Sequence, residues 1–230
     1  DLPWKSKIRE SLVMRPGWLD GGDIHTIEAL QAIIERRNHG ETGIAWVEAL
    51  EGDRFWKAME AGSWEKGGWD RQLMENGFTR SNTIQVVRDN YGVVLPKIAD
   101  LKRMAPGSYA YRFQYRDGTR ATALAFREKE RQGRILSDTP ITVRMKNDDI
   151  FSTLVYLPYY SMRNFFNPLV NHIETLFRTG KSPYPVERTL LTTGMTAAGV
   201  ESLFQKQKRL ATPHLAIKYK STRKSTFWRT

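Results

Sequence analysis

The sequence predicts an α+β domain built on an open-faced, mostly antiparallel β-sheet of about six strands, with helices packed on one face. Three observations lead there. Apolar stripes at helical spacing fall in two groups, one in the first third of the chain and one in the last. A strong hairpin signal sits between them. Further short apolar runs bounded by turn residues add strands beside that hairpin, which suits a sheet covered by helices.

Taken in order, residues 24–37 read as a helix. Ile24, Ile27, Leu30 and Ile34 form one stripe, and Asn38–His39–Gly40 supplies a stop. Residues 43–50 (GIAWVEAL) read as a buried strand. A helix then runs from Asp53, a residue suited to capping the first turn, to Ala61, where Gly62, Gly67 and Gly68 interrupt it. Another helix is expected over 69–78. The stretch 81–105 carries the short run Val93–Leu95, Pro96 and scattered charges, and is expected to be a loop lying over the domain.

The hairpin comprises 109–116, Asp117–Gly118 and 119–127. A two-residue Asp-Gly turn takes positive φ at both central positions. That register pairs Phe113 with Thr122, Tyr111 with Leu124 and Tyr109 with Phe126. One face of the ribbon is then aromatic and apolar. The other carries Ala110, Arg112, Gln114, Ala121, Ala123 and Ala125. Strands are expected at 141–146 and 150–157, joined by Asn147–Asp148–Asp149. Phe166, Leu169, Val170, Ile173 and Phe177 mark an amphipathic helix ended by Gly180. A second helix covers 186–207, with small residues at Gly194, Ala197, Ala198 and Gly199 for close packing. A last strand is expected at 214–219. Residues 1–204 are expected to form a single domain and 205–230 a basic C-terminal segment that includes this last strand.

Composition narrows the function classes. The chain has 230 residues, of which 40% are hydrophobic and 27% charged, enough to bury a sizeable core. Cysteine is absent, which removes disulfides, thiolate metal sites and cysteine nucleophiles. No apolar run approaches the roughly 18 residues that span a bilayer, and no signal peptide is recognisable, so a cytoplasmic protein without membrane contact is expected. The start at Asp1 suits a processed product or a piece of a longer protein. The net charge of +11 arises largely from eight basic and no acidic residues in 205–230. A segment of this kind is more often a solvated tail, or one docked on an acidic partner, than a nucleic-acid grip.

Two stretches carry a resemblance. LDGGDIHTIEALQAIIERRNHGETGIAWVEAL, from Leu19, resembles the start of the C-terminal domain of Gfo/Idh/MocA-type oxidoreductases. That family includes glucose–fructose oxidoreductase and inositol dehydrogenase. NPLVNHIETLFRTGKSPYPVERTLLTTGMTAAGVESL, from Asn167, resembles its closing pattern of amphipathic helix, Thr-Gly-Lys turn, proline and packed helix. The resemblance implies a substrate-binding and oligomerisation domain of an NAD- or NADP-dependent enzyme acting on a sugar or polyol. It also implies a homo-oligomer formed through the sheet face. The family's cofactor loop, G-x-G-x-x-G after a strand, does not occur here. The cofactor is therefore expected on a Rossmann domain upstream or on another chain, with none bound by this chain alone.

The resemblance also implies the site. The family's motif places an aspartate four residues before a histidine; here that position is Gly21, and the nearby carboxylates are Asp20 and Asp23. His25, helped by Asp20 or Asp23, would then move a sugar hydroxyl proton, a task that suits an imidazole of pKa about 6.5. The structural alternative is a histidine that packs or caps locally. His172, Lys181 and Arg188 are candidates for binding substrate, against a core histidine and solvated surface charges. His25 and Glu28 stand three apart on a helix, and with His172 would make a thin ligand set; no metal is expected. The alternative function is a non-catalytic binding or assembly module that retains the fold.

Overall fold

In the computed structural model the described residues are 2–17, 21–83, 87–88, 92–93, 95–129, 135–155 and 166–223. They form an open, mixed sheet of seven strands and six α-helices. The elements run β1 (Ile8–Pro16), α1 (Asp23–Ile34), β2 (Ile44–Glu51), α2 (Gly52–Ala61), α3 (Arg71–Arg80), β3 (Val87–Arg88), β4 (Gly92–Val93) and α4 (Ile98–Met104). They continue as β5 (Tyr109–Tyr115), β6 (Arg120–Phe126), β7 (Pro140–Met145), β8 (Ile150–Leu154), α5 (Asn167–Thr179), α6 (Val186–Phe204) and β9 (Leu210–Ala211). The strand order is β8-β7-β1-β6-β5-β2-β9, and β3 pairs only with β4. Every pair is antiparallel except β1 with β6.

The open α+β sheet is the fold expected, but helices lie against both of its faces. On one face α1 and α6 bury Ile27, Leu30, Ile34, Leu191 and Met195 against Val13, Val47, Tyr111 and Phe113. On the other, α2, α3 and α4 bury Phe55, Trp56, Leu73, Phe78 and Leu101 against Leu12, Met14, Leu124 and Phe126. The second layer was hidden in the sequence because β1 supplies it. With Val13 on one face and Leu12 and Met14 on the other, the strand is buried on both sides. Its charged Glu10 and Arg15 are buried too, so it lacks the apolar alternation of a half-exposed strand. No strand was expected at 8–16.

The hairpin forms with a register one residue away from that expected. Tyr109 faces Ala125, Tyr111 faces Ala123 and Phe113 faces Ala121. The loop has three residues, 116–118, because the Tyr115 N–H bonds to the Thr119 carbonyl (2.9 Å) and Gly118 takes the left-handed conformation at φ +87°. Asp117 Oδ1 accepts from the Thr119 N–H (2.9 Å), which locks the longer turn. A one-residue slip exchanges the faces of one strand relative to its partner. The aromatic residues of β5 therefore share a face with the alanines of β6. Leu124 and Phe126 turn to the opposite core.

Two other expectations are corrected. The loop expected at 81–105 contains β3, β4 and α4; α4 is held by the one fully buried side chain Leu101, too little for an apolar stripe to show. The last strand is not at 214–219 but at Leu210–Ala211, paired with Trp46 and Val47 of β2. Pro213, which has no N–H, ends it, and a short 3₁₀ turn follows. Leu215 in that turn and Tyr219 beyond it reach the first core, so part of the basic segment belongs to the folded body. The strand expected to 157 ends at Leu154, and residues 156–157 lie outside the described ones. Among the described residues no helix is long and apolar enough to cross a membrane.

The alanines of β6 leave space that the large rings of β5 and the small residues of α6 share. A Cβ on Gly199 would lie 2.9 Å from Cδ1 and Cε1 of Tyr111. Gly199→Val is therefore expected to lose about 1–3 kcal/mol of unfolding free energy in urea titrations, the usual cost of overpacking. An unchanged urea midpoint would show that the ring does not set the spacing between α6 and the sheet.

Candidate functional site

The first turn of α1 carries the candidate catalytic residues. Gly22 precedes the helix because no side chain fits there. A Cβ would lie 1.9 Å from Nη2 of Arg15, whose guanidinium crosses beneath the helix start. Arg15 donates to the Pro16 carbonyl (2.6 Å) and to Thr26 Oγ1 (3.2 Å), and its Nη1 lies 3.9 Å from Asp23 Oδ1. Asp23 is buried and takes hydrogen bonds on both oxygens, from the Tyr109 hydroxyl (2.7 Å) and the Tyr111 hydroxyl (2.9 Å). Burial first, and the neighbouring Asp23 next, push the Tyr109 pKa well above its ordinary value, so the phenol stays a donor.

His25 stands on the opposite side of the same turn and is exposed. Two residues along a helix rotate a side chain by about 200°, so Asp23 and His25 cannot point the same way. The structure thus places Asp23 as the anchor beneath the helix and His25 as the group that meets solvent. Asp20 lies outside the described residues. Glu28 is half-buried and accepts from the Thr192 hydroxyl on α6. Among the described residues no cluster of His, Asp and Glu is placed to hold a metal.

The three substrate-binding candidates lie elsewhere. Arg188 makes a two-pronged ion pair with Glu35, just past the end of α1. Glu35 is ten residues from His25, about 15 Å along the helix axis. Arg188 also lies over the Tyr184 ring (4.8 Å), which stands 5.7 Å from the His172 ring. Burial, with the Arg188 charge second, pushes the His172 pKa below the usual imidazole value, so its ring is neutral near pH 7. Lys181 is exposed on the turn after α5. His172, Tyr184 and Arg188 are brought together, but not with His25.

Glu35 belongs to a buried polar network that the sequence did not announce. The Tyr219 hydroxyl donates to Glu35 (2.8 Å), and Gln31 donates to the Tyr219 oxygen (2.8 Å) and to Glu41. Tyr115 donates to Gln31 (2.6 Å). Arg37 closes the network with bonds to Glu41 (3.0 and 3.1 Å) and Asp117 (2.6 Å).

A cleft of about 880 Å³ opens on the opposite sheet face, between β1, β6, β7 and the segment ahead of α3. Its floor holds Glu10, only 4% exposed, whose Oε1 accepts from the Asp70 N–H (2.8 Å). Asp70 caps α3 and accepts from Arg144 Nε (2.6 Å), while Arg144 Nη2 donates to Gln72 (2.7 Å). Arg120 pairs with Glu65. Burial pushes the Glu10 carboxyl up to about 7, and the Asp70 charge adds to this against the Asp70 N–H and Arg120. The buried acid in β1 was the one available signal for this cleft, and it is uninformative without the strand order.

No protein-family model matches the sequence, and no curated protein matches it. Solved structures do. A putative myo-inositol dehydrogenase from Sinorhizobium meliloti aligns at 11% identity and a TM-score of 0.44, covering 90% of this chain and 57% of that one. A myo-inositol dehydrogenase from Corynebacterium glutamicum aligns at 8% identity and 0.46, over 89% and 56%. A probable dehydrogenase from Thermotoga maritima aligns at 9% identity and 0.45, over 92% and 57%. The chain spans a little over half the length of each.

Two outcomes are expected from these geometries. Tyr109→Phe removes one hydrogen bond to a buried carboxylate and should cost about 1.5–3 kcal/mol in chemical denaturation; a loss near zero would mean Asp23 does not need it. For Glu10, the folded carboxyl binds its proton more tightly than the unfolded one, for which the usual pKa is 4.5. Its contribution to stability is therefore complete below about pH 4.5 and is lost as pH rises to about 7, at most about 3 kcal/mol. Glu10→Gln should flatten that part of the stability–pH curve, and a slope unchanged by the substitution would locate its origin elsewhere.

Proposed function

We propose that this chain is the substrate-side domain of a Gfo/Idh/MocA-like oxidoreductase acting on a sugar or polyol, with NAD or NADP held by a nucleotide-binding domain outside these residues. The observation that carries the reading is the first turn of α1. An exposed imidazole, His25, stands on a helix start that Asp23, Tyr109, Tyr111 and Arg15 hold rigidly from below. Beside Gly22 the helix start is occupied by the Arg15 guanidinium. The step assigned to this chain is therefore proton transfer: His25 accepts the proton of a substrate hydroxyl as that carbon is oxidised, and returns it in the reverse direction.

Assembly is assigned to α5 and the start of α6. Val170, Ile173, Leu176 and Phe177 leave an apolar stripe exposed, with Phe177 at 83%, and Val186 and Leu190 extend it. A stripe of this extent supports docking of a partner, either the nucleotide-binding domain or a second copy. Over the centre of the sheet, a second copy would meet helices and not bare strands. The alternative, a non-catalytic assembly module, is favoured by the separation of Asp23 from His25 across the helix.

Intact mass and a nicotinamide titration of the native gene product separate the two. The oxidoreductase reading expects a mass well above the 26.6 kDa of this chain and binding of NAD or NADP. It further expects His25→Asn to lower kcat by about 10²- to 10⁴-fold with its thermal midpoint unchanged. A mass equal to this chain's, with no cofactor binding, would leave the assembly module and remove His25 from any chemistry.

A further inference from the structure

The cleft over Glu10 lies on the opposite sheet face from His25, and the assignment made above does not use it. We propose that it binds a small polyol bearing one anionic group. Its volume, about 880 Å³, is that of a small-molecule site. Its charges divide in a way that selects the ligand. Three of its cations are committed to acids, Arg9 to Asp148 (2.7 Å), Arg120 to Glu65 and Arg144 to Asp70 (2.6 Å). Two others on the rim, Arg71 and Lys146, have no acidic partner among the described residues, and Arg71 Nη2 donates to the Glu60 carbonyl (2.9 Å). Both are exposed, at the mouth where an anionic group would enter.

The remaining lining has a different character. Glu10 is buried at the floor, and the half-buried Ser63 and the exposed Gln72 line the same cleft. These are partners for hydroxyl groups. The charges facing Glu10 are Asp70 and Glu65 from the segment ahead of α3, Arg120 from β6, Arg144 from β7 and Arg112 from β5. A protonated Glu10 donates a hydrogen bond and adds no negative charge. An ionised one repels an anion across the cleft. Binding is therefore coupled to proton uptake at Glu10, which titrates near neutrality in the free chain.

The test is calorimetric titration of the full chain with gluconate, glucose 6-phosphate and the neutral sorbitol. At about pH 6 at least one of the two anions is expected to bind, with sorbitol roughly tenfold weaker or more. Gluconate alone would assign a carboxylate ligand, and glucose 6-phosphate alone a phosphate. Arg71→Ala and Lys146→Ala change exposed side chains, leave folding intact, and should each weaken the anion by several-fold. For whichever anion binds, affinity should fall between about pH 6 and about pH 8, and in Glu10→Gln, with its fold checked by circular dichroism, that fall should shrink. The phosphate's own titration would remain in Glu10→Gln, so only the difference between the two proteins is read. Binding of neither anion, equal binding of sorbitol, or affinities indifferent to Arg71 and Lys146 would each overturn the proposal.

Discussion

One row of side chains on β5 governs the position of α1 and, through it, everything at the first face. Tyr109, Tyr111, Phe113 and Tyr115 point into the core between the sheet and the helices. Their rings supply apolar area, and three of their hydroxyls reach α1. Tyr109 and Tyr111 bond to Asp23 at its start, and Tyr115 bonds to Gln31 near its end. The helix is therefore tied at both ends to a single strand. A buried hydroxyl left without a partner costs more than its bond contributes, so each of these contacts fixes geometry as much as it adds stability. The alanines opposite, Ala121, Ala123 and Ala125, are what leave room for such a row.

The same economy appears in the charges. For a chain of net charge +11, many of its arginines are withdrawn from solvent and paired: Arg37 with Glu41 and Asp117, Arg112 with Glu48, Arg144 with Asp70, and Arg188 with Glu35. Such buried pairs contribute little net stability over apolar replacements, but breaking one strands a charge. Their effect here is to join segments distant in sequence. Arg37 ties the end of α1 to the β5–β6 turn, and Arg188 ties α6 to α1. Part of the basic C-terminal segment is drawn in by the same means: Arg209 pairs with Glu48 (3.2 Å) and lies 4.2 Å from the Trp46 ring centre. The charge block that reads as a solvated tail is thus partly structural in 205–223.

Two features remain once these ties are made, and they lie on opposite faces of the sheet. On the α1 face, one helical turn carries a buried carboxylate that holds the helix and an imidazole exposed to solvent. On the other, the layer of α2 and α3 does not reach across the ends of β1, β6 and β7, and the polar residues Glu10, Arg120 and Arg144 line the cleft there. Glu10 is costly there as an ion, which is why it keeps its proton to higher pH than an exposed glutamate.

By itself the sequence determined the elements whose signals are local. The stripe Ile27, Leu30 and Ile34 specified α1, the Asp-Gly turn specified a hairpin, and Gly180 and Pro185 bounded α5 and α6, because helical spacing and turn chemistry act over a few residues. The place of His25 at a helix start behind a glycine turn was legible for the same reason. The tertiary structure decided what depends on more than one segment. The register of the hairpin turned on one extra loop residue, and with it which strand faced which core. β1 was illegible because both of its faces are buried and its buried Glu10 finds a partner sixty residues away, at Asp70. Asp23 became an anchor, Arg188 a tie to Glu35 and Glu10 the floor of a cleft for one physical reason. A charged side chain's role is set by the partner that burial brings to it, and that partner is named only when the strands are in order.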